Sequence, residues 1–272
     1  MVASKEPIMS QSERRFSFEF FPAKTEAGHE KLLATARNLA GYKPDFFSCT
    51  YGAGGSTRDR TLSTVLQLDG EVKVPTAPHL SCVGDSKAEL RELLGRYREA
   101  GIRRIVALRG DLPSGMGMAS GELRYANELV DFIRTETGDH FHIEVAAYPE
   151  VHPQARSFED DLANFVRKVK AGASSAITQY FFNADAYFYF VERVAKLGVD
   201  IPVVPASCRS PTTPSWRASP TPAAPNCRAG SASNWKPTAT TAAASRPSAS
   251  RSSARCANAC WRAAHRDCIS IL

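Results

Sequence analysis

The sequence predicts a parallel α/β fold in which strands and helices alternate from residue 16 to residue 205. Short apolar runs of strand length recur along this region, and segments with helical apolar spacing separate them. Glycines and prolines stand at several of the junctions. Since strands joined through helices run in the same direction, the sheet is expected to be parallel and covered by those helices.

Seven strands and six intervening helices follow from this pattern. The first strand is an aromatic run that ends at Pro22, and the first helix carries Leu32, Leu33 and Ala36 at helical spacing. The predicted strands are 16–22, 46–51, 76–82, 104–108, 142–148, 175–182 and 201–204. The predicted helices are 26–39, a segment after the 52–55 turn that ends at 68, and then 87–100, 122–136, 158–170 and 184–197.

Two parallel architectures fit this order, an open doubly wound sheet and a (β/α)8 barrel. No G-x-G-x-x-G turn follows the first strand, which disfavours a dinucleotide-binding open sheet. Polar side chains instead recur at the carboxyl ends of the strands, where barrel active sites are built, at Glu19, Thr50, His79, Asp111, Tyr148 and Gln179. We therefore expect an α/β fold of the (β/α)8 (TIM) barrel type. Residues 206–272 offer no credible eighth strand, so we expect that strand and the last helices to be missing or disordered.

Composition limits the classes of protein that this chain can represent. It has 272 residues, 43% of them hydrophobic, and a formal net charge of +6. No run of eighteen apolar residues is present, so we expect no membrane-spanning helix. Residues 1–15 form a polar N-terminal segment without the apolar run of a signal peptide, and we expect a cytoplasmic protein.

The chain divides near Pro205 into a body, 16–205, and a tail, 206–272, of unlike composition. The tail holds nine Lys and Arg against one acidic residue, five of the seven cysteines and all three tryptophans. The positive charge therefore belongs to the tail and comes without a nucleic-acid-binding motif, so we expect no nucleic-acid partner. Cys256 and Cys260 lack a second well-spaced pair of ligands, and we expect no metal site.

Glu19 is the strongest candidate for chemistry. It lies between Phe18 and Phe20, and apolar surroundings raise the pKa of a carboxyl, so that it can act as a general acid near neutrality. The alternative is a glutamate at a strand edge that points into solvent.

Other polar groups allow two interpretations each. Asp111 is a functional carboxylate or a turn acid paired with Arg109, and His79 contacts a ligand or satisfies the backbone. The proline-bracketed loop 148–153 is a binding loop or a rigid turn. One helical stripe is a binding face or a solvated charged face, and it comprises Asp161, Asn164, Arg167 and Lys168.

Six sequence blocks spread over residues 16–182 together resemble the motifs of a known protein family. They are FSFEFFPAKT, SCTYGAGGSTRDRT, APHLSC, RRIVALRGDLP, VAAYPEVHP and AGASSAITQYFF. In this order they resemble bacterial methylenetetrahydrofolate reductase, and the resemblance covers essentially all of 16–205. It implies a cytoplasmic (β/α)8 barrel that binds FAD non-covalently and uses NADH as co-substrate. The implied reaction reduces 5,10-methylenetetrahydrofolate to 5-methyltetrahydrofolate and feeds methionine synthesis.

The resemblance also implies roles for individual residues. Glu19 matches the acid that protonates the bridging nitrogen of the folate, and Asp111 matches a catalytic aspartate near the flavin and the pterin. Gln179 matches the amide that contacts folate and nicotinamide in turn, and Thr50 is expected to contact NADH. The positions that match flavin contacts are Thr50, Tyr51, Ala53, His79, Arg109, Gly110, Asp111, Tyr125, Ala126, Tyr148, His152, Ala155, Asp161, Asn164, Arg167 and Lys168.

The resemblance stops after Pro205, where the family continues Gly-Ile-Met-Pro-Ile and this chain has ASCRS. Back-translation of ASCRS with G+C-rich codons, after one base is restored, regroups to the family's residues. We therefore expect 206–272 to be the family's C-terminus read out of frame. Pro, Ser, Ala and Thr dominate this tail, so it is expected to be disordered.

This tail leaves alternative functions open. The first hypothesis is flavin-dependent folate reduction, with homo-oligomers expected if the intact C-terminus were present. The second is an inactive remnant that at most binds FAD. The third, which the sequence favours least, is association of the basic tail with nucleic acid. Because a barrel without its last strand has open edges, we expect instability and little activity.

Overall fold

The computed structural model describes residues 15–51, 55–110, 121–207 and 268–271. The strands in this part of the chain are β1 (Arg15–Phe20), β2 (Phe46–Cys49), β3 (Thr76–Ser81), β4 (Arg104–Leu108), β5 (His142–Ala147), β6 (Ser175–Thr178), β7 (Val203–Val204), β8 (Ala206–Ser207) and β9 (Cys268–Ile271). The helices are α1 (Glu26–Ala40), α2 (Gly55–Gln67), α3 (Lys87–Glu99), α4 (Ala126–Thr137), α5 (Phe158–Lys170) and α6 (Ala184–Lys196), and a π-helical turn, Leu68–Val72, extends α2. None of these described helices is long and apolar enough to cross a lipid bilayer.

All strand pairs are parallel, in the order β7-β6-β5-β4-β3-β2-β1-β9-β8. Pro205 alone separates β7, which pairs with β6, from β8, which pairs with β9. The two ends of the sheet are thus consecutive parts of one chain segment, and the sheet returns on itself. The described residues form a partial (β/α)8 barrel, which confirms the predicted fold class and excludes the open doubly wound sheet.

Strand β9 corrects one expectation, namely that residues 206–272 supply no eighth strand. It lies between β1 and β8, with Cys268 opposite Arg15 and Ile271 opposite Phe18. The physical reason is local, because this short segment contains two β-branched isoleucines and both neighbouring strands offer backbone groups for pairing. The remaining tail positions, 208–267 and 272, lie outside the described residues, and the expectation that the last helices are missing or disordered falls on them.

The predicted helix 122–136 begins later in the structure, at Ala126. Tyr125 is extended (φ −133°, ψ 152°), and the Glu128 carboxylate accepts its backbone N–H at 3.3 Å. The Glu122 carboxylate instead accepts the backbone N–H of Lys87 at 2.7 Å, at the start of α3. Glu122 thus lies before the helix and Glu128 in its first turn, and both carboxylates cap backbone N–H groups where helices begin.

The predicted strand 175–182 ends at Thr178. The Thr178 hydroxyl accepts the backbone N–H of Ala206 at 2.9 Å, so on the side of β6 that faces away from β5 the ladder gives way to a side-chain contact. Farther along, the Glu150 carboxylate accepts the backbone N–H of Asn183 at 2.9 Å, just before α6 begins. Residues 179–183 are consequently a loop whose backbone is held by the preceding βα loop.

An apolar layer fills the interior of the barrel. It is built by Phe46 on β2, Ala77 on β3 and Val106 on β4, all of them buried. Because alternate residues of a strand face the same side, Ser48 and His79 also face the interior, one step nearer to the carboxyl ends of their strands. Inside the barrel, polar side chains therefore lie next to the apolar layer, on its side toward the carboxyl ends of the strands.

A polar cluster lies at the opposite, amino-terminal end of the barrel. Ser175 Oγ donates to Glu144 Oε2 at 2.6 Å and contacts His142 Nε2 at 2.5 Å, while Arg104 pairs with Glu144. The Arg104 guanidinium also lies 4.4 Å from the centroid of the Phe46 ring. Burial alone would raise the pKa of Glu144, but the hydrogen bonds from His142 and Ser175 and the charge of Arg104 lower it below its ordinary value.

Candidate active site

The polar positions predicted from the sequence meet at the carboxyl ends of the strands, because all these strands are parallel. Thr50 N–H donates to Phe20 O at 2.9 Å and Gln179 N–H donates to Ala147 O at 2.7 Å, so both residues extend the strand ladders at the rim. The described members of this set are Glu19, Thr50, His79, Tyr148 and Gln179, and the predicted flavin contacts Arg109 and Gly110 lie in the turn after β4. Ala53 and Asp111 lie outside the described residues.

Glu19 is the buried acid of this face. Its side chain is 17% exposed, and the alternative of a glutamate pointing into solvent is excluded. Burial raises the pKa of Glu19 to about 7, against the opposing effect of a hydrogen bond with the Ser48 side chain. Near neutral pH a large fraction of this carboxyl is therefore protonated, which is what a general acid requires.

His79 lies on β3, two strands away from Glu19, and faces it inside the barrel. Its Nε2 lies 3.4 Å from Glu19 Oε2, yet it has no hydrogen-bond partner among the described residues. Burial lowers the pKa of His79 to about 4, so the imidazole is neutral at pH 7 and this contact is not an ion pair. A buried polar atom without a partner is unusual and points to a ligand at this position.

The turn after β4 packs tightly on the end of β3. Gly110 has φ +87°, and a Cβ added there would lie 1.9 Å from Ser81 Oγ. The Ser81 hydroxyl donates to Arg109 O at 2.9 Å, which holds the two chain segments together. Farther out, Arg109 Nη2 donates to Gln154 Oε1 at 2.6 Å and so links this turn to the loop after β5. Only glycine fits the close approach of this turn.

The loop after β5 is anchored by α5. The rings of Tyr148 and His152 pack edge to face with centroids 4.5 Å apart, and His152 N–H donates to Asp161 Oδ2 at 2.8 Å. Ala155 N–H donates to His152 O at 2.9 Å, and Val151 adopts φ +71°, a strained value for a β-branched residue. Asp161 is thus a structural partner of the loop.

The rest of the α5 stripe divides into two kinds of residue. Arg167 and Asn164 are exposed and hydrogen-bond each other, which matches the interpretation of a solvated face. Lys168 is half-buried and its ammonium donates to Ala146 O in β5. Burial lowers the pKa of Lys168 to about 8, while the charge of Asp161 acts in the opposite direction.

Three further predicted contacts lie around the outer part of this face. The Tyr51 hydroxyl donates to Oδ2 of the buried Asp85 at 2.8 Å. Tyr125 precedes α4 and is 57% exposed, and Ala126 is the first residue of that helix. Among the predicted positions, the structure therefore brings Glu19 and His79 into direct contact, and likewise Tyr148 and His152.

Three residues outside the set of predicted site residues support these groups, and one of them, Glu150, belongs to the proline-bracketed loop 148–153. Ser48 bonds with Glu19, Gln154 with Arg109, and Glu150 with the loop that carries Gln179. Ser48 could have been identified from the sequence, since it is a polar residue at an inward position of an apolar strand. Gln154 and Glu150 lie in or next to the proline-bracketed segment, but their partners are distant in sequence.

A parallel α/β barrel with a buried acid at the carboxyl ends of its strands has the architecture of a barrel enzyme. Residues 5–208 match the family model described as methylenetetrahydrofolate reductase. The chain belongs to the methylenetetrahydrofolate reductase family, whose named members are oxidoreductases.

Curated relatives agree with this assignment. The 5,10-methylenetetrahydrofolate reductase of Pectobacterium carotovorum is 46% identical over 189 residues, which cover 70% of this chain and 62% of the relative. That of Escherichia coli is 44% identical over 195 residues, 72% of this chain and 64% of the relative. Methylenetetrahydrofolate reductase (NADH) 1 of Arabidopsis thaliana is 38% identical over 210 residues, 73% of this chain and 36% of the relative. The chain thus spans less than two thirds of the length of these relatives.

Solved structures resemble the fold. An uncharacterised protein from Clostridium thermocellum, described as binding two copies of 5-methyl-5,6,7,8-tetrahydrofolic acid, has a TM-score of 0.50 at 14% identity, covering 74% of this chain and 68% of that one. A 2,3-dimethylmalate lyase has a TM-score of 0.52 at 9% identity, covering 74% and 70%. At these identities the likeness concerns the fold alone.

Proposed function

We propose that this chain is an FAD-dependent reductase that converts 5,10-methylenetetrahydrofolate to 5-methyltetrahydrofolate with NADH, in the cytoplasm and in support of methionine synthesis. The observation that carries the proposal is the buried, partly protonated Glu19 at the carboxyl end of β1 in a chain of this family. The name of the Arabidopsis relative supports NADH as the co-substrate.

Glu19 acts as the general acid of the folate step. Its carboxyl proton passes to the bridging nitrogen of the folate, which opens the five-membered ring and leaves a carbon that accepts hydride. General acid catalysis of this kind contributes roughly 10²–10⁴-fold in rate. Asp111 and Gln179 are proposed to bind the substrate, Gln179 and Thr50 to contact the nicotinamide, and Asp111 to assist Glu19.

The described residues fit a bound flavin. His79 offers a buried ring nitrogen without a hydrogen-bond partner in the described part of the chain, and Gly110 lets the backbone approach without a Cβ. The Arg109 guanidinium, half-exposed at the turn after β4, and the Lys168 ammonium at the end of β5 supply positive charge for a diphosphate. FAD, when bound, supplies hydride transfer between the nicotinamide and the folate. We propose the flavin contacts that the sequence resemblance implies.

A comparison of two reactions tests this proposal. The purified chain, loaded with FAD, is assayed for NADH oxidation with a quinone acceptor and for reduction of methylenetetrahydrofolate. We expect Glu19→Gln to lower the folate rate relative to the quinone rate by roughly 10²–10⁴-fold. Glu30→Gln, at an exposed glutamate of α1, is the control and should keep the wild-type ratio. A wild-type ratio in Glu19→Gln would refute the role of the acid.

A remnant that binds FAD without turnover is the second candidate. The family match ends at residue 208, so most of the tail 206–272 lies beyond it. The short extent of the match favours the second candidate. A soluble yellow chain that oxidises no NADH would support it over the reductase. Nucleotide sequencing around codon 205 tests the frame break directly, and an intact frame that encodes the same tail in close relatives would exclude it.

A further inference from the structure

Glu19 and Ser48 are paired across two neighbouring parallel strands. Glu19 on β1 lies directly opposite Ser48 on β2, and both side chains face the barrel interior. Ser48 is only 4% exposed, and its side chain, next to Glu19 on the interior face, acts on that carboxyl as a hydrogen-bonding neighbour that lowers its pKa. The pairing therefore depends on the register of two buried strands and leaves the hydroxyl little freedom to choose another partner.

The surroundings of Glu19 make this bond important. Two titratable groups face or adjoin Glu19 in the described part of the chain, His79 from β3 and Cys49 from β2. His79 is uncharged near pH 7, and its Nε2, 3.4 Å from Glu19 Oε2, makes no hydrogen bond to any residue that the structure describes. Burial and the negative charge of Glu19 raise the pKa of Cys49 to about 12, so the thiol is neutral as well. Neither group offsets a negative charge on Glu19.

We propose that Ser48 is a positioning residue for proton transfer from Glu19, a role that rests on the proposed function. Its hydroxyl fixes the orientation of the Glu19 carboxyl toward the mouth of the barrel and stabilises the carboxylate that remains after transfer. In this step the O–H bond of Glu19 breaks and an N–H bond forms on the folate nitrogen. The electron pair of the broken bond stays on the carboxylate oxygen.

A hydroxyl suits this position because it serves both forms of the acid. Toward the protonated carboxyl it can accept or donate, and toward the carboxylate it donates. Hydrogen bonds to charged groups are worth more than those between neutral ones, so the bond strengthens as the proton leaves. Ser48 therefore assists the transfer and keeps the acid in place between turnovers.

Ser48→Ala tests the proposal in the FAD-loaded protein. We expect the folate rate to fall about 10-fold relative to the quinone rate, because one hydrogen bond to a charged group is lost. The fall of the folate rate at alkaline pH should also move to higher pH by about one unit, since loss of the bond disfavours the carboxylate. Ser48→Thr, which keeps the hydroxyl, should restore both the rate ratio and the wild-type pH profile.

Ser17→Ala is the matched control. Ser17 is a buried serine like Ser48, but it lies on β1, two residues before Glu19. It should leave the alkaline limit of the folate rate where the wild type has it. If Ser48→Ala does not fold, Ser48→Cys replaces it, since a thiol has similar volume and is a weak donor, and the same shift to higher pH is expected. The role of Ser48 would be overturned if the folate rate of Ser48→Ala fell at the same alkaline pH as that of the wild type. It would also be overturned if Ser17→Ala moved this pH upward as well. A wild-type chain without folate reduction would instead contradict the proposed function.

Discussion

Glu19 is held in the folded chain at a cost in stability. Its pKa is about 7 in the fold against an ordinary value of 4.5, because burial disfavours the charged form. The folded state therefore binds the proton more tightly than the unfolded chain does. The stabilising effect of protonation is fully present below pH 4.5 and is lost as the pH rises through about 7. A side chain suited to donate a proton is for this reason a weak point of the fold.

Glu19→Gln should consequently stabilise the chain at alkaline pH. A neutral amide avoids the buried charge, and we expect a gain of roughly 1–3 kcal/mol at pH 8 and a much smaller one at pH 5. Thermal or urea unfolding at the two pH values measures the difference. Glu30→Gln, in an exposed part of α1, serves as the control. Equal effects of Glu19→Gln at both pH values would contradict a raised pKa in the folded state.

Two glycines, Gly110 after β4 and Gly84 after β3, allow backbone strain and close contact to be tested separately. Gly110 and Gly84 both have positive φ, +87° and +84°, but only Gly110 has a neighbour within 4 Å of an added Cβ. We expect Gly84→Ala to cost about 1–2 kcal/mol from backbone strain alone. Gly110→Ala should cost about 1–3 kcal/mol more, because its Cβ would displace the Ser81 hydroxyl. Urea unfolding compares the two, and equal losses would show that the Ser81 contact yields without cost.

At the scale of elements, the sequence predicted most of the fold and part of the site. Apolar periodicity found β1 to β7 and all six described helices, with changed ends where a carboxylate caps a backbone N–H, as Glu128 does before α4. The burial of Glu19 followed from its aromatic neighbours. Its contact with Ser48 did not, because cross-strand register depends on the whole sheet. Strand β9 was missed since its four residues lie in a tail of unfavourable average composition.

Two ion pairs between an arginine and a glutamate should differ in their importance for stability. Arg104 pairs with Glu144 inside the barrel, where the Glu144 side chain is 3% exposed, whereas Arg91 pairs with Glu136 on the surface between α3 and α4. Arg104→Met should cost about 3 kcal/mol at pH 7, since it leaves a buried carboxylate without its cation. Arg91→Met should change the unfolding midpoint only slightly, because solvent screens the exposed pair.

The pH dependence separates these two effects further. The pKa of Glu144 is lowered in the fold, so its stabilising contribution is present above the ordinary value of 4.5 and is lost as the pH falls. The cost of Arg104→Met should therefore shrink between pH 7 and pH 3, where the carboxyl becomes protonated. Urea unfolding at both pH values checks this. A cost that stays constant with pH would mean that Arg104 acts through packing on Phe46 and not through its charge.

At the scale of the whole molecule, closure of the sheet depends on very little chain. Strands β7 and β8 have two residues each, and β9 has four. Pro205, between β7 and β8, cannot donate a backbone hydrogen bond, which suits a point where the chain changes its pairing partner from β6 to β9. Without β9, the edges of β1 and β8 would have unpaired backbone groups, and such edges promote aggregation.

Ser270→Pro should open the barrel at this place. Ser270 pairs with Ser17 on one side and with Ala206 on the other, and proline in a strand flanked on both sides removes a ladder hydrogen bond. We expect a loss of about 3 kcal/mol or more, with aggregation on mild heating. Ser270→Thr keeps the N–H and adds a β-branched side chain, so it is the control. Identical thermal unfolding and light scattering of the two variants would exclude a structural role for β9.

The common direction of β1 and β9 has a practical consequence. Arg15 begins β1 at one end of the barrel, and Glu19 lies near the other end of the same strand. Ile271 is level with Phe18, one residue before Glu19, so a bulky group attached directly after Ile271 would lie at the end of the barrel that carries Glu19. Arg15, the first residue of β1, lies at the opposite end of the barrel, about 13 Å from Glu19 along the strand.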